Sequence, residues 1–463
     1  MPVFLVLFLL LFSVNLNAQH SPEAAGLWSG TIDLPDDELG IYVTFENSDG
    51  ELDGAIDIPR QQAYNLPLEV TEASGNTLVF QFETGTGPAV FYGEWSGLEN
   101  TIVGEFEQLG QRFPFRLTKR TVVYGRLIDL PESELIIPTR AGRISGSLIL
   151  NDKPSPLVIL ISGSGSQDRD ENVAGFRVFG VLSSQLYEHG FSTFRYDDRG
   201  IGQSLGEPDA TLAELAEDVA DITGYLRSNH GDQITGIYLL GHSQGGLVAS
   251  IIAEETGADG IIFMASPFLR GDEIINIQIR LLSEEMSVPE TVVTQNLEFQ
   301  ERIYEVARNE ASWDEIELDL KERLIQQLNQ LPVQQRNALG DMSSFIESQI
   351  HRQLSSAKSR WFKSLIEYEP ADSIGDFNIP MLVIFAEKDM QVALKPNLEA
   401  AENLADNTGA NLSIAVIPHA NHLFQHSNTG SPGEYGMLDR SFADGFVQTI
   451  LDWVKQVSSI ETN

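Results

Sequence analysis

Ser243 is the residue best placed to do chemistry. It stands in Gly241-His242-Ser243-Gln244-Gly245, which fits the G-x-S-x-G pattern of a nucleophile elbow. A serine hydroxyl is a weak nucleophile near neutral pH, so a base must take its proton. The chain has 8 histidines, and His419, His422 and His426 cluster just past a predicted strand over 412–417. In the chain order serine, acid, histidine, that loop is where the base belongs. His422, in Ala420-Asn421-His422-Leu423-Phe424, is the choice, with His419 second and His426 read as a surface residue. The acid must follow a strand between Ser243 and His422. Asp389, in Glu387-Lys388-Asp389-Met390-Gln391-Val392, is chosen, with Glu387 as fallback. Its carboxylate would accept the Nδ1–H of His422, fix the tautomer and stabilise the imidazolium. Two backbone donors would complete an oxyanion hole. One is the N–H of Gln244, directly after the nucleophile. The other is that of Ser164, in the Gly-rich loop Ser162-Gly163-Ser164-Gly165-Ser166. A phosphate-cradling loop competes for this segment, but the Gly-Lys-Ser/Thr of a P-loop is absent. Asp168, Arg169 and Asp170 read as a local ion-pair network, and His242 as a residue that the elbow directs elsewhere.

These residues need a strand that stops, a turn that lifts the serine above the sheet edge, and a helix that starts at once. Ile237–Leu240 is a short apolar strand, and 247–255 continues as a helix closed by Gly257. Gly241 and Gly245 lack a Cβ and let strand and helix approach. The helix start turns free N–H groups toward the site. Further strands are predicted over 148–150, 157–161, 191–196, 260–265, 381–386 and 412–417. Thr211-Leu212-Ala213-Glu214 is a capping box that opens a helix. A last helix runs over about 439–457. Strands alternating with helices predict an α/β fold with a mostly parallel central sheet. Residues 267–376 break the alternation. They contain no good strand, two more capping-box matches at Ser287 and Ser312, and an amphipathic stripe at Ile274, Ile275, Leu281 and Leu282. A helical insertion there would lie over the strand carboxyl ends and act as a lid. Trp361 and Phe362 are candidates to line an apolar acyl pocket, although core packing is the more ordinary role.

Residues 19–118 are all-β in character. Apolar or alternating runs near positions 26, 41, 52, 77, 90, 101 and 112 are separated by turn residues such as Ser48-Asp49-Gly50 and Ser74-Gly75-Asn76. Seven or eight short strands predict a small antiparallel barrel or sandwich, read as a structural or shielding module. Residues 1–18 read as a signal peptide, with an apolar run too short to span a membrane comfortably. The expected organisation is signal peptide 1–18, β domain 19–118 and hydrolase domain 119–463, in an exported protein. The 463 residues carry 67 acidic and 29 basic side chains, a net charge of −38. A surface that acidic excludes nucleic-acid binding. With no cysteine there are no disulfides, thiolate metal sites or cysteine nucleophiles. No metal or organic cofactor is expected, and no stable membrane insertion.

Five segments in order carry a family resemblance: 162–171, 196–204, 241–246, 387–392 and 421–425. Through them residues 121–460 resemble the α/β-hydrolase superfamily. Within it they are similar to the EstD-type bacterial esterases, which are akin to the serine aminopeptidase and monoacylglycerol lipase branch. The resemblance implies a triad of Ser243, Asp389 and His422, a small-molecule ester substrate and an acyl-enzyme intermediate. It also implies a small β domain ahead of the hydrolase domain. The expected activity is hydrolysis of short- to medium-chain acyl esters. A serine aminopeptidase or acylpeptide hydrolase is the first alternative, and an inactive binding module the second.

Overall fold

The computed structural model describes residues 24–460 except 36, 49–50, 59–62, 85–86, 98, 121–129, 331–340, 376 and 378. The signal-peptide segment 1–18 lies outside the described residues. The chain divides into two compact units, Met1–Thr121 and Val122–Asn463.

The first unit is a closed barrel of eight antiparallel strands. They are β1 (Gly26–Leu34), β2 (Asp37–Ser48), β3 (Glu51–Ile58), β4 (Ala63–Ser74), β5 (Thr77–Thr84), β6 (Gly87–Ser96), β7 (Thr101–Gln108) and β8 (Gln111–Arg120). Pairing of β1 with β8, Leu27 opposite Arg120, removes both sheet edges. Alternate residues point inward, so Leu78, Phe80 and Phe82 of β5 are buried while their neighbours are less so. Phe80 stacks on Phe91 at 4.6 Å, and Phe115 meets Phe91 edge-on at 5.1 Å. The sequence runs marked seven of these strands. The eighth, β4, contains Pro67 and pairs through register shifts on both sides, which blurs its alternation.

The second unit is built on an eight-stranded sheet. In chain order its strands are β9 (Glu132–Thr139), β10 (Gly142–Ile149), β11 (Ser155–Ile161), β14 (Ser192–Tyr196), β15 (Ile234–His242), β16 (Gly260–Met264), β17 (Met381–Ala386) and β18 (Leu412–Ile417). A two-residue hairpin, β12 (Asn172–Val173) with β13 (Phe176–Arg177), stands apart. The spatial order is β18-β17-β16-β15-β11-β14-β10-β9. Pairing is parallel from β18 to β14 and antiparallel at β10 and β9. β16 and β17 carry no polar side chain and are buried throughout, because helices cover both faces. Leu157, Ile159, Leu239 and Phe263 enter one buried cluster, which includes residues of α2 (Leu212–His230) and α3 (Gln244–Thr256). Val158, Leu160, Leu240 and Met264 enter the other, with α1 (Val178–Glu188) and the C-terminal helix Phe446–Ile460.

The insertion between β16 and β17 is helical in its described residues. It comprises α4 (Gly271–Glu285), α5 (Glu290–Asn309), α6 (Asp314–Gln330), α7 (Met342–Ser355), α8 (Arg360–Glu367) and the short α9 (Pro370–Ile374). It has its own core around Tyr304, Ile316, Leu320, Ile346, Phe362 and Ile366. Thr211 forms its capping box with both bonds present. The boxes expected at Ser287 and Ser312 do not form. Pro289 takes the N-cap position of α5 instead, with Ser287 at φ 54°, and among the described residues Ser312 Oγ accepts from Asp314 N.

Candidate active site

Between β15, which ends at His242, and α3, which starts at Gln244, the chain turns on a single residue. That residue, Ser243, has φ 51° and ψ −121°. A left-handed non-glycine residue stores about 1–3 kcal/mol of strain and persists only where its surroundings impose it. Here they do. A Cβ on Gly241 would stand 2.2 Å from the carbonyl carbon of Gly245, and one on Gly245 would stand 2.2 Å from the Ile161 oxygen. The Ser243 N–H donates to the Met264 carbonyl at 2.8 Å, which ties the elbow to β16. The serine itself is half-buried.

His422 follows β18 and is 4% exposed. Its Nδ1 lies 2.7 Å from Asp389 Oδ2. The other oxygen of Asp389 accepts from the N–H groups of Gln391 (2.7 Å) and Val392 (2.8 Å), which fixes the carboxylate. A carboxylate only accepts, so Nδ1 carries the hydrogen and Nε2 is left as the basic nitrogen. Asn421 braces the loop, its Oδ1 accepting from Leu423 N and Gln425 N at 3.0 Å each. The second-choice residues meet each other instead. The exposed His419 donates its N–H to Glu387 at 2.7 Å, and its ring lies 5.8 Å from that of the exposed His426. Among the described residues Ser243 Oγ makes no hydrogen bond to His422. Such bonds commonly tighten only with substrate in place.

The Gly-rich loop 162–166 lies against the serine, since a Cβ on Gly163 would be 3.4 Å from Ser243 Cβ. The Gly163 N–H is occupied, donating to Glu171 Oε1 at 2.8 Å. Ser164, Ser243 and Gln244 line one cavity of about 270 Å³, whose other walls include Ile274, Phe362 and Leu365 of the insertion. A second cavity, about 690 Å³, is lined by Ser162–Ser166, Tyr196, Asp198 and Asp209. The two share Ser164, Gln244, Ser356 and Trp361. Trp361 Nε1 donates to Gln244 Oε1 at 2.7 Å, so one side chain of the insertion is pinned beside Ser243. Asp209 accepts from the first two N–H groups of α8, at 3.1 and 3.0 Å, and holds that helix end in place.

Asp198 accepts from Ser162 Oγ at 2.9 Å and Gln167 N at 2.8 Å. Burial nevertheless pushes its carboxyl up to about 7, helped by the negative charges of Glu171 and Asp197. Arg169 bridges Asp197, Glu134, Ser145 and Ser147, while Asp170 pairs with Arg177 and Arg195. Asp168 caps the same turn through Asp170 N. Two further residues meet at the site, a contact no local motif announces. His242, read as directed elsewhere, lies with its ring 4.7 Å from that of His422, and Glu171 faces His242 Nδ1 at 2.8 Å. Only the contact across 71 residues makes the pair visible. Among the described residues no group of three or more His, Asp or Glu is placed to hold a metal ion, and no helix is long and apolar enough to cross a membrane.

A family model described as serine aminopeptidase, S33, matches residues 176–320. Esterase EstD of Thermotoga maritima is 25% identical over 296 residues, 63% of this chain and 61% of that protein. Protein phosphatase methylesterase 1 of Candida albicans is 33% identical over 96 residues, 21% of this chain and 24% of that one. The chain thus spans less than two thirds of the length of either relative. Among solved structures, a thermophilic esterase from Thermogutta terrifontis covers 70% of this chain with 99% of its own, at 20% identity and a TM-score of 0.38. The α/β hydrolase GrgF from Penicillium covers 71% with 98% of its own, at 18% identity and 0.42. The sheet order, the strained elbow and the sequence matches agree: the chain has an α/β-hydrolase fold and is similar to Esterase EstD.

Proposed function

We propose that the chain is a serine hydrolase that cleaves carboxylic esters with short to medium acyl chains. The observation that carries this reading is the buried His422–Asp389 pair at 2.7 Å, set beside a serine held in a strained elbow. Ser243 attacks the ester carbonyl while His422 Nε2 takes its proton. Asp389 stabilises the imidazolium, which then protonates the leaving alcohol. The N–H groups of Ser164 and Gln244 hold the oxyanion, each worth about 3 kcal/mol of barrier. Water, activated by the same imidazole, releases the acid from the acyl-enzyme.

The smaller cavity suits the acyl group. Its apolar wall of Leu247, Ile274, Phe362 and Leu365 gains by covering methylenes, about 0.8 kcal/mol each. The larger cavity, beyond Trp361, is then the room for the alcohol. The apolar leader supports export, and the relatives' names support ester chemistry.

A peptidase reading draws on the S33 description of the family model. An aminopeptidase needs a carboxylate to hold the free amine. Asp198 and Asp209 are carboxylates lining the larger cavity, but both oxygens of each are engaged, and the raised pKa of Asp198 leaves it partly neutral near pH 7. That favours the ester. The test is turnover of p-nitrophenyl esters from acetate to palmitate against aminoacyl p-nitroanilides. Ester turnover should peak at short or medium chains; preferred amide turnover would make the chain a peptidase.

A further inference from the structure

Glu171 and His242 are 1% and 3% exposed, and the reaction outlined above uses neither. Their contacts reach three catalytic segments. His242 immediately precedes Ser243 on the elbow. Its Nε2 lies 3.0 Å from the backbone carbonyl of His422, on the base loop. Its Nδ1 lies 2.8 Å from Glu171 Oε1, and that same oxygen accepts from the N–H of Gly163, on the oxyanion loop. Glu171 Oε2 is buried with no hydrogen-bond partner among the described residues, so all of its bonding passes through Oε1.

Proton counting sharpens the picture. A carbonyl oxygen only accepts, so Nε2 must carry a hydrogen. Nδ1 and Oε1 at 2.8 Å cannot face each other with two lone pairs, so one more proton lies between them. We infer that Glu171 and His242, sharing that proton, are positioning residues that hold the nucleophile elbow, the oxyanion loop and the base loop in register. The inference rests on the hydrolase reading above. Burial opposes a charge on His242, but the Glu171 carboxylate, the His422 carbonyl and the Asp389 charge outweigh it and set the imidazole above its ordinary range. An unpaired buried polar group is costly to retain, and a role in registering three loops explains why this pair has one oxygen to spare.

The pair does not tolerate an isostere. In Glu171→Gln the atom at Oε1 must serve both neighbours. As an oxygen it suits Gly163 N–H but confronts the lone pair of Nδ1; as an NH2 it suits Nδ1 but confronts Gly163 N–H. In His242→Gln the amide nitrogen can still donate to the His422 carbonyl, but nothing remains to meet Glu171. Either change breaks one tie of the same device.

The experiment measures kcat and KM on p-nitrophenyl butyrate for the full chain, Glu171→Gln, His242→Gln and the double variant. Rates are expressed per site titrated with a phosphonate ester. Each single change should lower kcat about 30- to 100-fold, the scale of a small misplacement of reacting groups. KM should stay within about threefold, and the double variant should be no worse than the weaker single, because the two act as a unit. Singles with near-native kcat, losses that multiply in the double, or kcat and KM failing together would overturn the inference. Should the variants not fold, 15N-histidine NMR of the wild type decides. One buried imidazole, lying against a second, should keep two slowly exchanging ring protons, and a single ring proton there would overturn the inference. A wild type that neither hydrolyses the ester nor takes the phosphonate would instead fail the functional reading, with the NMR outcome still judging the pair.

Discussion

At the residue scale, the site depends on which atoms can only accept. Asp389 gives one oxygen to two backbone N–H groups and the other to His422, so the imidazole has one workable tautomer. Asp389→Asn would keep the backbone bonds yet present an NH2 to Nδ1, turning the ring or its tautomer. It should lower kcat by about 10⁴ with the fold intact, measured on a short p-nitrophenyl ester beside a circular-dichroism melt. Near-native kcat would mean that Asp389 orients nothing. Asp198 makes a separate prediction. Burial first, and then the charges of Glu171 and Asp197, hold its carboxyl up at about 7. A raised folded pKa means that the native state binds the proton more tightly. The stability from this group is therefore full below the unfolded value of about 4 and is lost as pH rises through about 7. Asp198→Asn removes the ionisation while its amide can still meet Ser162 and Gln167. Its melting temperature should gain on wild type as pH rises across that window; a constant difference would contradict the assignment. Chain order alone made Ser243, Asp389 and His422 legible as one group. It could not reveal Glu171 beside His242, because that contact closes over 71 residues.

At the scale of elements, strands that lie between two helical layers were plain in the sequence because burial on both faces demands unbroken apolar runs. Two strands that carry proline, β4 with Pro67 and β9 with Pro138, were not, although β8 was plain with Pro114 inside it. Capping boxes divide in the same way. Thr211 closes one because nothing competes with the helix start, whereas Pro289 imposes the start of α5 past Ser287. The insertion's most consequential contact, Trp361 to Gln244, joins residues 117 apart and had no local signature. Trp361 forms part of the wall of both cavities. Trp361→Ala should let longer acyl chains extend past that wall. The ratio of kcat/KM for decanoate over acetate esters is expected to rise about tenfold, a change of the size apolar pockets make. A uniform loss at all chain lengths would show that Trp361 only packs.

At the scale of the whole molecule, each unit carries its own buried core. The barrel is organised on stacked phenylalanines and the hydrolase unit on the two faces of its sheet. All of the proposed catalytic residues belong to the second unit. Both units share one electrostatic burden, a net charge of −38. Like charges at that density repel in the compact state, and salt screens them, the Debye length falling from about 10 Å at 0.1 M to about 3 Å at 1 M. The melting temperature should therefore rise by a few degrees between about 0.1 and 1 M sodium chloride. A fall would mean that attractive surface pairs outweigh the repulsion.

Covalent trapping decides whether Ser243 is the nucleophile. The protein is treated with a phosphonate ester until turnover of a p-nitrophenyl ester stops, digested, and mapped by mass spectrometry. One adduct per chain is expected, on Ser243, with neither adduct nor ester turnover in Ser243→Ala. An adduct on another residue, or ester hydrolysis that survives in Ser243→Ala, would contradict that role.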